Sequence, residues 1–135
     1  MGYWVKRINH DISNLYDSKL SQLGLTSAQL NVLICLWNKG DGLTQKEIQK
    51  LLNISKPSLT NLLDTLVAGG WVFRKSHELD ARVKRVFLTG EGKNNKMLCQ
   101  NIINEIEQEL QKDLTNEEIS SIILLLKKSS TNLKR

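Results

Sequence analysis

Few residues in this chain have the types and spacing that catalysis or metal binding requires. The sequence contains two cysteines, Cys35 and Cys99, and two histidines, His10 and His77. No two of these residues lie within four positions of each other, so the CxxC and HxxxH spacings of metal ligands are missing from the sequence. The sequence also shows no nucleophile–base pairing and no phosphate-binding loop. We therefore expect no enzyme activity, no bound metal and no other cofactor.

The two cysteines still allow a redox role. Cys35 and Cys99 each lie among apolar residues at helical spacing, which favours buried packing positions for both. The alternative is that one of them is a redox-sensing thiol, which would require a thiolate that oxidants can reach.

Hydrogen-bond donors form a more informative pattern in the segment Ser55 to Ala68. Leucines recur there at helical spacing, and the positions between them are polar. One α-helix fits the major groove of B-DNA, where residues near its N-terminus read the base edges. An ordinary solvated helix face is the alternative. The positions expected to be exposed are Lys56, Ser58, Thr60, Asn61, Asp64 and Thr65.

The residues before this segment predict the first helix of a helix-turn-helix. Thr44 to Glu47 has the Thr-x-x-Glu pattern of a capping box, and Asn53 is a suitable left-handed terminator for the short helix that follows. Ser55 then caps the second helix, and Pro57 falls in its first turn, where a missing N–H costs little. Two short helices joined by about three residues form a helix-turn-helix.

A β-hairpin, the wing, is predicted directly after the second helix. Trp71–Arg74 and Val83–Leu88 are rich in β-branched and aromatic residues, and the loop between them is polar. Arg82 near the hairpin tip can enter a narrow minor groove. Asp80 can hold the Arg82 guanidinium, or bridge Arg82 and Arg74, and so order the loop. The alternative is an exposed ion pair worth roughly 0–1 kcal/mol.

Apolar residues at a 3.6-residue period predict four further helices, namely Tyr3–Leu23, Ser27 to about Asn38, about Glu91 to Lys112, and Thr115–Leu126. The fold class is therefore mainly α with a small β-hairpin wing. We expect residues 25–90 to form a winged helix-turn-helix DNA-binding domain, and residues 1–24 and 91–135 to form a helical dimerisation region. Their apolar stripes exceed what the winged domain needs for its own core, which indicates a two-fold homodimer. An intramolecular helical bundle in a monomer is the alternative.

Several short motifs along the chain match a known family pattern. The matching residues are Leu25–Leu30, Leu59-Thr60, Leu62–Leu66, Gly70–Val72, Arg74, Asp80-Ala81-Arg82 and Leu88–Gly92. On these residues the chain resembles the MarR family of winged-helix transcriptional regulators. The resemblance implies a homodimer that binds a pseudo-palindromic operator, usually as a repressor relieved by a small molecule or an oxidant. It also implies that Arg82 contacts the minor groove and that Asp80 supports it. Asn61 and Ala81 replace residues that are often basic in the family, which makes the expected DNA contacts less cationic.

These patterns together predict three groups of site residues. The expected DNA-binding residues are Thr44, Gln45, Ser55, Lys56, Ser58, Thr60, Asn61, Lys75, Arg82 and Lys84. Arg74 and Asp80 are expected to support the wing. Trp4, Tyr16 and Trp37 are amphipathic aromatic residues on the first two helices and form a candidate effector pocket. Packing in the core or an interface is the alternative for these three residues.

The sequence thus predicts a dimeric, sequence-specific DNA-binding regulator, typically a repressor, that responds to a small-molecule effector. The net charge of +5 is compatible with an anionic partner such as double-stranded DNA. A winged-helix protein-interaction module with weak or lost DNA binding, and a thiol-based redox sensor acting through DNA binding, are the alternatives. No apolar run reaches the roughly 20 residues of a membrane span, and Met1 to His10 has no signal-peptide core, so we expect no membrane partner and a cytoplasmic location.

Overall fold

The computed structural model describes residues 1–134, of which most are helical and a few form a small antiparallel sheet. This architecture confirms the predicted fold class. A single turn of 3-10 helix, Ser21–Leu23, follows the first helix. In chain order the elements are α1 (Gly2–Leu20), α2 (Ser27–Lys39), β1 (Leu43–Thr44), α3 (Gln45–Leu52), α4 (Lys56–Ala68), β2 (Val72–Ser76), β3 (Lys84–Leu88), α5 (Gly90–Asn94), α6 (Lys96–Gln111) and α7 (Asn116–Leu133).

The chain forms two compact units, Met1–Ile103 and a second that begins at Asn104. The whole winged helix-turn-helix lies in the first unit. Its core also contains Leu20 from α1 and Cys99 from α6, both with no exposed surface. Segments outside residues 25–90 therefore contribute to this core, and the division into a DNA-binding domain and a dimerisation region stays a prediction.

The predicted helix boundaries depend on caps that the structure shows in place. In each capping box the threonine side chain accepts a hydrogen bond from the backbone three residues on, and that residue's side chain accepts one from the backbone N–H of the threonine. The three boxes are Thr26 with Gln29, Thr44 with Glu47, and Thr115 with Glu118. Asn53 ends α3 in the left-handed conformation at φ 52°, as its position in the sequence predicts.

Helix α2 lies at the centre of the first unit. Leu30, Val32, Leu33 and Leu36 on this helix are at most 2% exposed, as is typical of a helix with apolar residues on several sides. The other elements bury their apolar faces in the same cluster. The contributing residues include Leu59, Leu63 and Leu66 from α4, and Val72, Val86 and Leu88 from the wing.

The sheet has three strands, one more than the sequence predicted. All pairings are antiparallel in the order β1-β3-β2, and β2 pairs with β3 from Val72 opposite Leu88 to Ser76 opposite Lys84. The additional strand β1 has only two residues, too few to show a two-residue period. The Gly42 N–H next to it donates to the Val86 carbonyl at 3.0 Å. This third strand therefore depends on a tertiary contact that the local sequence does not reveal.

The sequence predicted one long helix from about Glu91 to Lys112, and this prediction was wrong in one respect. The structure divides the segment into α5 and α6 at Asn95. The Asn95 side-chain amide donates to the Glu91 carbonyl at 2.9 Å. Asparagine side chains compete with the backbone for hydrogen bonds in this way, which disfavours them inside helices.

The last helix continues to Leu133, seven residues beyond the predicted end at Leu126. Residues 127–133 contain no glycine or proline that would end it. Along residues 1–134, no single helix is long and apolar enough to cross a membrane. Only the pair Gly2–Leu23 and Ser27–Lys39, bent by 77°, meets that test together, by length and composition alone.

Gly92 is required where α5 packs against the wing, and this can be tested. A Cβ at Gly92 would lie 2.3 Å from the Trp71 carbonyl oxygen, whereas one at Gly90 would have no atom within 4 Å. Gly92→Ala should therefore lower the free energy of unfolding by about 1–3 kcal/mol, as overpacking does. Gly90→Ala, the matched control, should change it by less than about 0.5 kcal/mol. Urea unfolding followed by circular dichroism would measure both, and equal losses in the two variants would contradict this packing account.

Candidate nucleic-acid interface

A groove of about 970 Å³ lies between the helix-turn-helix and the wing. Five of its side chains are cationic, and no acidic residue is among the described residues that line it. A concave surface with one sign of charge attracts a polyanion such as the phosphate backbone of DNA. The lining residues are Thr44, Gln45, Lys46, Gln49, Lys50, Asn53, Ile54, Lys56, Leu59, Arg82, Val83 and Lys84.

The groove unites five of the residues that the sequence predicted to bind DNA, namely Thr44, Gln45, Lys56, Arg82 and Lys84. It also contains two cations that the sequence reasoning missed, Lys46 and Lys50 on α3. A signal for them was available, because they lie four residues apart and so share one face of a helix. The capping box predicts only where α3 begins and does not indicate this polar face.

The first turn of α4 is held together by its own hydroxyl groups. The Ser55 hydroxyl accepts from the Ser58 backbone N–H at 3.2 Å and donates to the Ser58 hydroxyl at 2.8 Å. The Thr60 hydroxyl donates to the Lys56 carbonyl at 3.0 Å. The side chains of Lys56 and Asn61 are exposed beside these contacts. Lys56 and Asn61 therefore present exposed donors on this helix, whereas the hydroxyl groups of Ser55, Ser58 and Thr60 are used within its first turns.

Asp64 on α4 forms an ion pair with Arg74 on β2. The suggested bridge in which Asp80 holds both Arg82 and Arg74 is therefore not formed. Strand alternation explains the outcome, because Arg74 lies on the same face of β2 as the buried Val72, which faces the core. Arg74 supports the attachment of the wing to α4, and it neutralises the one carboxylate on the exposed face of that helix.

Asp80 holds the wing loop and Arg82 together. The Asp80 carboxylate accepts from the Arg82 backbone N–H at 3.0 Å, from Nε at 3.1 Å and from Nη2 at 3.3 Å. These hydrogen bonds from Arg82 lower the pKa of Asp80 below its ordinary value. The Arg82 side chain remains 91% exposed. A guanidinium has five N–H donors, so Arg82 keeps donors for a ligand while Asp80 fixes its orientation.

Lys75 lies away from the groove. It pairs with Arg85 across the hairpin and lines a separate cleft of about 350 Å³, together with His77, Leu79 and Phe87. The neighbouring Ser76 has the opposite orientation, and its hydroxyl accepts from Lys84 Nζ at 3.3 Å. Side chains alternate between the two faces of a strand, so Lys75 and Lys84 lie on different faces of the wing.

The three aromatic residues suggested for an effector pocket do not come together in the chain. Trp4 is 63% exposed and contacts Tyr3 edge-to-face. Tyr16 lies twelve positions further along α1, which corresponds to about 18 Å of helix. Tyr16 and Trp37 pack against the core, and Trp37 Nε1 donates to the Gly92 carbonyl at 3.1 Å. Packing is thus their observed role within one protomer.

Both cysteines are buried, as the sequence predicted. Burial raises the pKa of Cys35 and of Cys99 above the ordinary thiol value. Since the thiolate is the form that reacts with oxidants, neither residue has the environment of a redox-sensing thiol. Within residues 1–134, no group of three or more potential metal ligands is present.

The Asp80–Arg82 contact predicts a specific pH dependence. Because the pKa of Asp80 is lowered in the folded state, its stabilising contribution is complete above the unfolded value of about 3.9. That contribution is lost only as the pH falls through the lower, folded value. An NMR titration of the Asp80 carboxyl carbon should therefore give a midpoint below about 3.9, and Arg82→Ala should move the midpoint upward. A midpoint that Arg82→Ala leaves unchanged would contradict the assignment of this contact as the cause.

Comparison with known proteins identifies the family to which this chain belongs. The MarR family model matches residues 25–84. The multiple antibiotic resistance protein MarR of Escherichia coli is 34% identical over 129 residues, which cover 95% of this chain and 89% of that protein. A mutant of E. coli MarR complexed with operator DNA has a TM-score of 0.87 and 33% identity, over 95% of this chain and 91% of the other. The S. aureus MepR–DNA complex has a TM-score of 0.90 and 32% identity, over 98% and 96%. The chain therefore belongs to the MarR family of winged-helix transcriptional regulators.

Proposed function

We propose that this protein is a homodimeric transcriptional regulator that binds a pseudo-palindromic operator in double-stranded DNA and acts as a repressor. The observation that carries the proposal is the cationic groove formed by α3, the start of α4 and the wing. Two of the solved structures that resemble this chain, a MarR mutant and MepR, are complexes with DNA. Other relatives are named as transcriptional regulators, and we propose a binding role rather than catalysis.

In this proposal α4 is the recognition helix and enters the major groove. Lys56 at the start of α4 is proposed to bind a phosphate, where the dipole of the helix adds a partial positive charge. Asn61 is exposed one turn further along, and an asparagine amide can bond an adenine edge with two hydrogen bonds. Lys46 and Lys50 on α3 bind the phosphates beside the groove and so set the register of the protein on the duplex.

The wing supplies the second contact. Arg82 extends from the hairpin loop with most of its side chain exposed, and Asp80 restricts its orientation before any DNA is bound. An arginine in a narrow minor groove gains from the strong negative potential there. Because the contacts with Asp80 already restrain Arg82, less conformational entropy is lost when the complex forms.

Dimerisation is proposed from apolar surface that one chain leaves uncovered. Residues Ile122–Leu126 of α7 are five consecutive apolar positions, each between 44% and 59% exposed. Successive residues turn by about 100° around a helix, so five of them cover its whole circumference. On α1, Trp4 and Ile8 are also exposed. A second copy of the chain would bury such faces and place two recognition helices about 34–36 Å apart, one turn of DNA.

The structure weakens the protein-interaction alternative. That alternative would follow from a recognition helix that Asn61 and Asp64 make less cationic, but Arg74 neutralises Asp64, and α3 adds Lys46 and Lys50. Effector modulation is typical of the family, and we include it in the proposal. The proposed DNA partner also implies a location in the cytoplasm.

The function can be tested by fluorescence anisotropy with duplexes selected from a random pool. We expect the affinity of the wild-type protein to fall steeply with salt, because phosphate contacts release counterions. Arg82→Ala should weaken binding about tenfold or more and reduce the salt slope by about two, because each protomer of the dimer loses one cationic contact. Sedimentation should show that the dimer is retained.

Lys75→Ala is the matched control, since it removes one positive charge from the face of the wing that lies away from the groove. We expect it to change the affinity much less than Arg82→Ala does. Equal losses in the two variants would show that net charge alone is responsible. An affinity that does not depend on salt would favour a protein-interaction module instead.

Asn61 should determine base preference more than total affinity. Asn61→Ala is expected to relax the consensus at one position of each half-site, because the lost bonds are to a base edge and not to phosphate. Repeating the duplex selection with this variant would measure the change. Asn31→Ala removes another exposed asparagine, on α2, and should return the wild-type consensus. The role of Asn61 would be refuted if its variant also returned that consensus.

A further inference from the structure

A buried glutamine connects the central helix to the recognition helix. Gln29 on α2 is only 9% exposed, and its side-chain oxygen accepts from the Thr26 backbone N–H at 2.8 Å. A backbone N–H can only donate, so the oxygen of the Gln29 amide must face Thr26 and its NH2 group must face the opposite way. That NH2 group donates to the Thr65 hydroxyl on α4 at 2.7 Å.

The same hydroxyl completes a chain of hydrogen bonds. Thr65 Oγ1 accepts from Gln29 and donates to the Leu62 carbonyl on its own helix at 2.8 Å. Both polar ends of the Gln29 amide are thus occupied, one within α2 and one between α2 and α4. Glutamate would serve the capping box equally well, and the other two boxes in the chain have glutamate there. Only glutamine also offers a donor to α4, so the link explains the residue type found at position 29.

A second tie lies one residue away on α4. Asp64 bonds Arg74 of β2, and Thr65 bonds Gln29 of α2. Consecutive residues point about 100° apart around a helix, so the two ties hold α4 from two directions. The leucines beneath α4 pack without strong directional preference, whereas hydrogen bonds require a particular distance and angle. The two ties therefore restrict rotation of α4 about its own axis.

Rotation of α4 matters because of where Asn61 lies. Asn61 is four residues before Thr65, so the two share one side of the helix. A side chain about 6 Å from the helix axis moves about 1 Å when the helix turns by 10°. A displacement of that size is enough to break a hydrogen bond to a base edge.

We propose that Gln29 is a positioning residue for DNA readout, which acts through Thr65 to fix the rotation of the recognition helix. The inference rests on the proposed function, since it concerns how that function achieves sequence specificity. Gln29 is buried in α2 and lies outside the groove, so its substitution changes no direct DNA contact. Non-specific binding through phosphate contacts should tolerate a small rotation of α4, whereas base readout should not.

The test compares affinity for the consensus duplex that the wild-type protein selects with affinity for a scrambled duplex of equal length. We expect Gln29→Met to lower this specificity ratio about fivefold or more, while affinity for the scrambled duplex and its salt slope stay near wild type. Thr65→Val should have a similar effect, and it keeps the test decisive if Gln29→Met fails to fold. The double variant should be no worse than either single variant. Thr65→Ser retains the hydroxyl, so its specificity ratio should equal that of the wild-type protein.

Thr26→Ala is the matched control for stability. It removes the other half of the same capping box, because the Thr26 hydroxyl accepts from the Gln29 backbone N–H, but it leaves the bond to Thr65 intact. We expect it to lower Tm and to retain the specificity ratio. A ratio unchanged in both Gln29→Met and Thr65→Val, or lowered equally by Thr26→Ala, would overturn the positioning role alone. If the wild-type protein selects no consensus, both the proposed function and this inference fail.

Discussion

The packing of α4 against α2 is the contact on which the interface depends. Leu59, Leu63 and Leu66 are at most 1% exposed and lie in one cluster with the apolar residues of α2. Burying one stripe of a helix leaves the remaining positions at the surface, and in α4 most of those positions are polar, namely Lys56, Ser58, Thr60, Asn61, Asp64 and Thr65. Hydrophobic burial thus selects the face of α4 that meets solvent, and the polar contacts of Asp64 and Thr65 then refine its orientation.

Two aspartates give two arginines different tasks. Arg74 is 27% exposed and bonds Asp64, so its charge is used within the protein to join the wing to α4. Arg82 is 91% exposed and bonds Asp80 within its own loop, so most of its surface stays open to a ligand. Surface ion pairs contribute little to stability, which indicates that the value of the second pair lies in orientation. The cationic surface of the groove therefore results from the placement of charges more than from their number.

Much of the fold follows from short-range patterns in the sequence. Capping boxes, leucine spacing and the alternation in the wing are local, and the structure has each of them where the sequence indicates. Strand β1 and the pairing of Arg74 with Asp64 were missed because they depend on tertiary contacts, and the break at Asn95 was missed although its hydrogen bond to Glu91 is local. Five of the ten predicted DNA-binding residues line the groove, and Ser55 and the α4 residues Ser58, Thr60 and Asn61 do not. Lys75 lies on the other face of the wing, because the strand register, which its charge in the sequence does not reveal, decides which face it occupies.

The two-residue strand β1 has a mechanical effect on the groove. Thr44 pairs with Arg85 of β3 and is also the N-cap of α3, so a single residue belongs to the sheet and begins the helix. Two residues before Thr44, the Gly42 carbonyl accepts from Arg85 Nη1 at 2.9 Å. Helix α3 and the sheet are therefore joined directly, with no loop residue between β1 and α3. We expect a displacement of α3 to move the wing with it. The width of the groove would then change little, while the orientation of the whole groove would change.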